Sequence, residues 1–134
     1  MGPRGGRWAR VRGGPDRRVK RGEVYLADLE PVRGSEANKA RPVILVGNNA
    51  SINAAQRFQR GVVTVVPCTS NSEARGAMHV ALLPTRLNGL RVSSKAQAEQ
   101  IRSLDIARLL RPLGKLGPRD LDAVEKALRY HLSL

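Results

Sequence analysis

The sequence has little of several residues and patterns that whole classes of proteins require. Only one of its 134 residues is cysteine, Cys68, so no disulfide can form within the chain, which favours a reducing compartment. Residues 1–18 contain no apolar run of the kind that a secretory signal needs. No stretch approaches the roughly 20 apolar residues of a membrane span. These absences predict a cytoplasmic protein that does not bind membranes.

Motifs for metal or nucleotide chemistry are also missing. The chain has no Gly-rich phosphate-binding loop, no HExxH and no CxxC, and its 11 acidic residues do not cluster at metal-ligand spacing. A nuclease that depends on a divalent metal needs several carboxylates close together. We therefore expect no metal site and no cofactor.

Positive charge is what the sequence has in excess. Lys and Arg number 24, and the formal net charge is +13. A domain this basic attracts phosphate backbones through long-range electrostatics and counterion release. The composition predicts a polyanionic partner, RNA in the first place, although a merely soluble surface remains the alternative.

The charge is concentrated at the start of the chain. Residues 1–20 hold seven basic residues and one acidic residue, and residues 1–18 are rich in Gly, Arg and Pro with a single aromatic residue, Trp8. Such a composition buries too little apolar area to offset chain entropy. We predict a disordered basic arm at 1–18 and one folded domain at 19–134. Whether Trp8 stacks on a base or the arm is an extension without function is left open.

Hydrophobic patterning predicts many short strands. They are separated by turns every eight to twelve residues, with no alternation of strands and helices. Residues 48–59 read as a loop or a short helix. The strands are expected at 22–29, 43–46, 61–67, 78–83, 91–96, 98–103 and 109–116.

A helix is expected to follow them. Pro118 suits a first helical turn, and Leu121, Val124, Leu128 and Leu132 form one apolar stripe. Asp122 with Lys126 and Glu125 with Arg129 are expected to pair on the outer face. The pattern predicts a mainly β fold: a small antiparallel barrel with a C-terminal α-helix.

Two elements are candidates for chemistry. Arg41-Pro42 enters a buried strand, and the residue before a proline is held in an extended conformation. Thr69 presents a hydroxyl where another buried strand ends. A pair of histidines, His79 and His131, is a weaker candidate for acid–base catalysis. His131 is explained by a helix C-terminus, and His79 is expected to face solvent.

Five segments occur in an order and at spacings that resemble the MazF/PemK family, the toxin endoribonucleases of bacterial toxin–antitoxin pairs. The resemblance covers residues 20–134. It implies a five-stranded antiparallel barrel-like core related to SH3-like and CcdB-like barrels, a terminal helix and a homodimer. The segments are Gly22-Glu-Val-Tyr-Leu-Ala-Asp28, Gly34-Ser-Glu36, Arg41-Pro-Val43, Val66-Pro-Cys-Thr-Ser70 and Gln97-Ala-Glu-Gln-Ile-Arg-Ser103.

The resemblance also implies site residues. Arg41 and Thr69 match the catalytic positions, Ser35 and Glu36 match positions near the RNA, and Gln100 matches a base-contacting position. Glu36 is expected to orient Arg41 or to assist the attacking 2′-OH, or else to form a salt bridge with Lys39 or Arg33.

The residues themselves suggest further contacts. Arg57, Arg60 and Arg75 lie in the loops 48–60 and 70–77 and are candidate phosphate contacts, or else solvated surface charge. Cys68 is expected to be a small core residue and not a nucleophile.

The expected reaction is metal-independent, sequence-specific cleavage of single-stranded RNA by 2′-OH attack on the adjacent phosphate, which would inhibit translation and growth. Arg41 would stabilise the charged phosphorane. The expected partner is an acidic MazE-like antitoxin with a disordered tail.

Two rival functions fit the same fold. A CcdB-like toxin that poisons gyrase depends on a Trp-containing C-terminal end, whereas this chain ends Tyr130-His-Leu-Ser-Leu134. A non-catalytic RNA-binding barrel is the other alternative.

Overall fold

A computed structural model describes residues 18–29 and 40–134 of the chain. The predicted arm falls almost wholly outside the described residues, and its disorder stays a prediction. The described residues form seven strands and two α-helices, with short 3₁₀ helices at Ala98–Gln100 and Ile106–Arg108. The strands and helices are β1 (Glu23–Asp28), β2 (Ala40–Leu45), α1 (Asn49–Phe58), β3 (Val62–Thr69), β4 (His79–Leu82), β5 (Ser94–Gln97), β6 (Arg102–Asp105), β7 (Leu109–Lys115) and α2 (Pro118–Leu132).

The strands form one antiparallel sheet in the order β4-β5-β3-β2-β1-β7, and β6 also pairs with β3. The prediction of a mainly β antiparallel fold with a C-terminal helix is confirmed. The sheet differs in detail from the implied barrel-like core of five strands. It has seven strands, and β4 and β7 lie at its two ends, so the described strands do not close into a barrel.

The two faces of the sheet bury different clusters, because successive side chains of a strand point to opposite sides. On one face, Tyr25, Val43 and Val65 pack with Ile52 of α1. On the other face, Val24, Ile44, Val66 and Cys68 pack with Val124 of α2. The hydrophobic alternation seen in the sequence therefore serves a sheet covered on both sides.

Residues 48–59, for which a loop and a helix were both open, form the helix α1. Asn48 caps it, because its side-chain oxygen accepts from the Ser51 N–H at 2.8 Å. Ile52 and Ala55 are the buried residues of this helix. Gln59 ends it in the left-handed conformation, at φ 54°.

Helix α2 begins at Pro118, as predicted, and buries Val124 and Ala127. The predicted pair of Asp122 and Lys126 forms at 3.2 Å. The predicted pair of Glu125 and Arg129 is wrong, because the Glu125 carboxylate pairs instead with Arg21. That contact ties the helix to the segment before β1, 104 residues away in the chain.

The predicted strands 91–96 and 98–103 are shifted, because β5 and β6 share one edge of β3. Strand β5 pairs with Cys68 and Thr69, whereas β6 pairs with residues 62–65. The chain must step along β3 between these two pairings, and the 3₁₀ helix Ala98–Gln100 makes the step. Local hydrophobicity contains no signal for such a step.

The turn between β4 and β5 is built around Asn88, which is 1% exposed. Its side-chain oxygen accepts from the backbone N–H groups of Thr85 at 3.0 Å and Leu90 at 2.9 Å, and its amide donates to the Leu83 carbonyl at 2.9 Å. Gly89 follows with φ +70°, and a Cβ there would lie 2.0 Å from the Leu113 carbonyl oxygen. The turn is thus pressed against β7.

In the described part of the chain, no helix is both long and apolar enough to cross a membrane.

Candidate active site

Arg41 lies within β2 and not at its mouth, because the strand begins at Ala40. This start corrects the predicted one at Val43. In the ladder with β1, Arg41 is opposite Ala27 and Pro42 is opposite Leu26. The ladder with β3 begins one residue later, at Val43. Pro42 therefore pairs with β1 but not with β3, which suits a residue without an N–H. Arg41 itself is exposed.

Thr69 is the last residue of β3. Its hydroxyl oxygen accepts from the Asn71 backbone N–H at 3.3 Å. The β2–β3 register pairs Leu45 with Val65 and Val43 with Pro67. The same register continued by two residues brings Arg41 level with Thr69 on the neighbouring strand, where opposite Cα atoms are about 5 Å apart.

A cleft of about 640 Å³ adjoins Arg41. Among the residues that the structure describes, its lining contains three arginines, Arg41, Arg91 and Arg111, and no acidic residue. Cys68 and Ser70 line it from β3 and the segment after it, whereas Thr69 between them does not, as expected where successive side chains alternate between faces. The cleft has the volume of a small-ligand site and a positive lining.

Arg91 and Arg111 were not among the predicted site residues. Arg111 lies opposite Leu26 in the β1–β7 ladder and precedes Pro112. The dipeptide Arg111-Pro112 therefore repeats the Arg41-Pro42 pair on the other side of β1, and this repetition was the available signal. Arg91 is an exposed residue of the turn before β5 and carries no comparable signal.

Ser35 and Glu36 lie outside the described residues, so their predicted places near the RNA stay predictions. Gln100 is exposed at the end of the 3₁₀ helix Ala98–Gln100. This helix follows β5 directly, and β5 pairs with Thr69 through Lys95. Gln100 is therefore five residues after Lys95, the residue that pairs with Thr69.

The segment 70–77 leaves β3 directly after Thr69, and its side chains are exposed. The predicted phosphate contact Arg75 lies here, and its guanidinium pairs with Glu73 at 3.1 Å. Several hydrogen bonds hold the segment to the sheet. Lys95 Nζ donates to the Glu73 carbonyl at 2.8 Å, and the Arg75 N–H donates to His79 Nδ1 at 2.9 Å. The His79 backbone N–H also donates to the Gly76 carbonyl at 3.5 Å.

His79 does not face solvent, which corrects the prediction. Its side chain is 14% exposed, and its Nε2 lies 3.1 Å from the Glu99 carboxylate. Because Nδ1 accepts from the Arg75 N–H, the N–H that the ring directs at Glu99 is on Nε2. Both nitrogens are engaged, so the arrangement does not favour His79 as the base of a histidine pair.

Glu99 is the partner that fixes this tautomer. Partial burial acts to raise the pKa of Glu99. Hydrogen bonds from its own backbone N–H and from the His79 and Gln100 side chains, together with charge attraction from His79, outweigh the burial, and the pKa lies below its usual value. Glu99 is therefore ionised at neutral pH.

Arg57 and Arg60 lie at the other end of β3. They belong to the end of α1 and the residues just before Val62, and the seven residue steps from Val62 to Thr69 span about 23 Å. Arg57 lies over the Phe58 ring, 5.6 Å from its centroid. The structure does not bring these two arginines to Thr69, and their role as phosphate contacts stays a prediction.

Cys68 is a core residue, 1% exposed. Burial raises the pKa of its thiol to about 12, so the thiolate that a nucleophile requires is scarce at neutral pH. Among residues 18–29 and 40–134, no group of three His, Cys, Asp or Glu side chains is placed to hold a metal ion.

The described strands form an open antiparallel sheet with a basic cleft beside Arg41, and comparison with known proteins identifies the family. The model of the PemK-like, MazF-like toxins of type II toxin–antitoxin systems matches residues 20–132. The chain belongs to this family, and the predicted resemblance is confirmed.

Individual relatives agree. The chain is 47% identical to endoribonuclease MazF9 of Mycobacterium tuberculosis (strain ATCC 25618 / H37Rv) over 116 residues, which cover 87% of this chain and 98% of MazF9. It is 34% identical to endoribonuclease EndoA of Bacillus subtilis (strain 168), covering 87% and 96% of the two chains. A solved structure of an endoribonuclease in complex with its cognate antitoxin, from a mycobacterial species, superimposes with a TM-score of 0.66 at 26% identity, covering 87% and 96%.

Proposed function

We propose that this protein is the toxin of a toxin–antitoxin pair and a metal-independent, sequence-specific endoribonuclease that cleaves single-stranded RNA. The observation that carries the proposal is the placement of Arg41 on β2, level with Thr69 at the end of β3 and beside a cleft lined by three arginines. Named relatives at 47% and 34% identity are endoribonucleases, which supports the same reaction for this chain.

The reaction begins with attack of the RNA's own 2′-oxygen on the adjacent phosphorus. The new P–O bond gives a phosphorane that carries more negative charge than the ground state, and then the P–O5′ bond breaks. The 2′-OH loses its proton and the leaving 5′-oxygen gains one, so the products are a 2′,3′-cyclic phosphate and a 5′-hydroxyl. No water and no metal take part in this first step.

Arg41 supplies the charge that this transition state requires. Its guanidinium stays protonated at neutral pH and can donate two parallel hydrogen bonds to phosphorane oxygens. Stabilisation of developing charge by fixed donors is worth about 10²- to 10³-fold in rate per donor. Arg41 is therefore first a stabiliser of charge and second a proton donor to the leaving oxygen.

Thr69 adds a donor from the neighbouring strand. Its hydroxyl oxygen accepts from Asn71, which leaves the hydroxyl proton available for a nonbridging phosphate oxygen. We assign Glu36 the orientation of Arg41 or assistance to the 2′-OH. Ser35 and Gln100 are the other proposed contacts to the RNA near the site. Arg57, Arg60 and Arg75 are proposed to contact further phosphates of the RNA backbone.

Substrate enters unpaired, because sequence-specific reading of RNA favours bases that are splayed out of a helix. The cleft beside Arg41 combines arginines with the apolar side chains of Leu26, Leu90 and Leu113. Such a lining suits a nucleotide, whose phosphate is anionic and whose base is flat and largely apolar.

The proposed partners follow from the charge and the family. An acidic MazE-like antitoxin whose disordered tail folds on binding suits the net charge of +13, and the similar mycobacterial endoribonuclease was solved with its cognate antitoxin. We also propose a homodimer, and the cytoplasm as its location, where the substrate RNA is found.

The test incubates the purified protein with a mixed RNA pool, with and without EDTA, and maps the 5′ ends of the fragments. We expect cuts at a short motif, unchanged by EDTA, with 5′-hydroxyl ends that polynucleotide kinase labels without prior dephosphorylation. A strong loss with EDTA would contradict the metal-free mechanism. Binding without fragments would favour the non-catalytic barrel, and gyrase inhibition without RNA cleavage would favour the CcdB-like alternative.

A further inference from the structure

Lys95 is a buried lysine at a position where the sheet does not require one. It is 6% exposed, whereas lysine is among the residues least often found buried. Its Nζ donates to the Glu73 backbone carbonyl at 2.8 Å. Among the described residues, no carboxylate lies within ion-pair distance of this ammonium. A buried charge that faces a neutral acceptor is costly to the fold, which makes Lys95 a candidate for a role beyond packing.

The position of Lys95 relates it to the proposed reaction. Lys95 on β5 lies directly opposite Thr69 on β3, and the next pair is Cys68 with Ala96. Residues directly opposite in an antiparallel ladder share a face, with Cβ atoms about 5 Å apart. Cys68 and Ala96 belong to the core cluster beneath α2, so Lys95 and Thr69 are side by side on the opposite face.

The Lys95 hydrogen bond also joins the segment that follows Thr69 to the strand that pairs with Thr69. The chain leaves β3 at Thr69 and passes through three residues to Glu73. The hydrogen bond from Lys95 to the Glu73 carbonyl then links it to the strand beside Thr69. The otherwise exposed segment 70–77 is also tied at its far end, where the Arg75 N–H donates to the His79 ring and the His79 N–H donates to the Gly76 carbonyl, and at its start, where the Asn71 N–H donates to the Thr69 hydroxyl. Lys95 therefore fixes the end of the segment nearer to Thr69.

We propose that Lys95 is a positioning residue of the RNA-cleaving site. It holds Glu73, and with it the start of segment 70–77, in the arrangement in which the Thr69 hydroxyl meets the phosphate, and it places a fixed positive charge on the same face as Thr69. The charge acts more strongly on the phosphorane than on the ground-state phosphate because the phosphorane carries more negative charge. This inference rests on the proposed function.

The test compares Lys95→Met, which keeps the length of the side chain and removes its charge, with Lys126→Met, the same substitution in the exposed pair with Asp122 on α2. Single-turnover and steady-state cleavage of one RNA oligonucleotide are measured for both variants and the native protein. We expect kcat of Lys95→Met to fall about 10- to 100-fold with KM changed less than about threefold. The Tm should be unchanged or raised because a buried charge is removed. Lys126→Met should match the native protein.

A residue with only a structural role would give a different result. In that case Lys95→Met would melt at a lower temperature, and its folded fraction would cleave with native kcat, which would overturn the proposal. Should Lys95→Met fail to fold, Lys95→Arg serves instead. It keeps the charge and alters the geometry at Glu73, so a reduced kcat at native Tm is expected, and native kcat would overturn the proposal.

A failure of the Lys95 proposal can be distinguished from a failure of the proposed function. If the native protein does not cut RNA, the proposed function fails. If the native protein cuts and Lys95→Met cuts equally fast, only the role of Lys95 fails.

Discussion

Thr69 and Lys95 face each other across the β3–β5 ladder, and the Lys95 ammonium is bonded to Glu73, four residues beyond Thr69. On the other side of β3, the β2–β3 register brings Arg41 level with the same threonine. Three adjacent strands thus bring a guanidinium, a hydroxyl and a buried ammonium into one row across the sheet. Three hydrogen-bond donors in that row suit a substrate that becomes more negative as it reacts.

The Thr69 hydroxyl is the neutral donor of this row. Thr69→Val removes the hydroxyl and keeps the shape, so we expect cleavage to slow about 100- to 1000-fold, while Thr69→Ser retains most of the rate. Thr64→Val, the same change within β3, serves as the control and should leave the rate unchanged. Native cleavage by Thr69→Val would show that the hydroxyl has no part in the reaction.

Glu99 makes the stability of the protein depend on pH. Its pKa is lowered in the folded state, so its charge stabilises the fold above the usual carboxyl pKa, and this contribution disappears as the pH falls through the folded value. Glu99→Gln should therefore melt below the native protein at pH 7, by about 1 kcal/mol in the free energy of unfolding. The difference should vanish in strong acid. Thermal melts from pH 7 to pH 2 measure this, and a difference that persists unchanged would refute it.

Cys68 should react only slowly with thiol reagents in the folded protein. With its pKa raised to about 12 by burial, only about 10⁻⁴ of the thiol is ionised at pH 8. An aromatic disulfide reagent should label native protein slowly and label one thiol per chain after unfolding in guanidinium. Cys68→Ala should cost about 1–2 kcal/mol of stability and cleave RNA at the native rate. Rapid labelling of the native protein, or loss of cleavage in Cys68→Ala, would indicate a reactive cysteine.

Asn88 supports the wall of the cleft through its hydrogen bonds in the turn 84–90. Asn88→Ala leaves buried backbone groups without partners, so we expect a loss of about 2–3 kcal/mol in the free energy of unfolding. Asn53→Ala, within α1, is the control and should be neutral or slightly stabilising because alanine is the better helix former. Denaturant unfolding of both variants measures the difference, and equal midpoints would contradict the assigned role of Asn88.

Much of this architecture was predictable from local sequence. The apolar alternation from Glu23, the β-branched runs of β2 and β3 and the stripe of α2 each follow from burial on one side or both sides of an element. The family motifs also lead to Arg41 and Thr69, because both stand in short and distinctive segments.

The parts that were missed depend on distant partners. Glu125 pairs with Arg21 across 104 residues, and no local spacing favours that contact over the predicted pair with Arg129. Lys95 reads as a surface charge until β5 is placed beside Thr69. Similarly, His79 reads as exposed until Glu99 and the Arg75 N–H engage both its nitrogens.

Arg41 is the residue on which the account depends most, and its removal is the most direct test. Single-turnover cleavage of one single-stranded RNA is measured in excess EDTA for the native protein, Arg41→Ala, Arg41→Lys and the control Arg119→Ala, which removes an exposed arginine from the first turn of α2. Each variant is confirmed to be folded by circular dichroism. The account predicts that Arg41→Ala slows cleavage by at least about 100-fold, that Arg41→Lys recovers part of the rate because it keeps the charge without the paired donors, and that Arg119→Ala is unchanged. A folded Arg41→Ala variant that cuts at the native rate would contradict it.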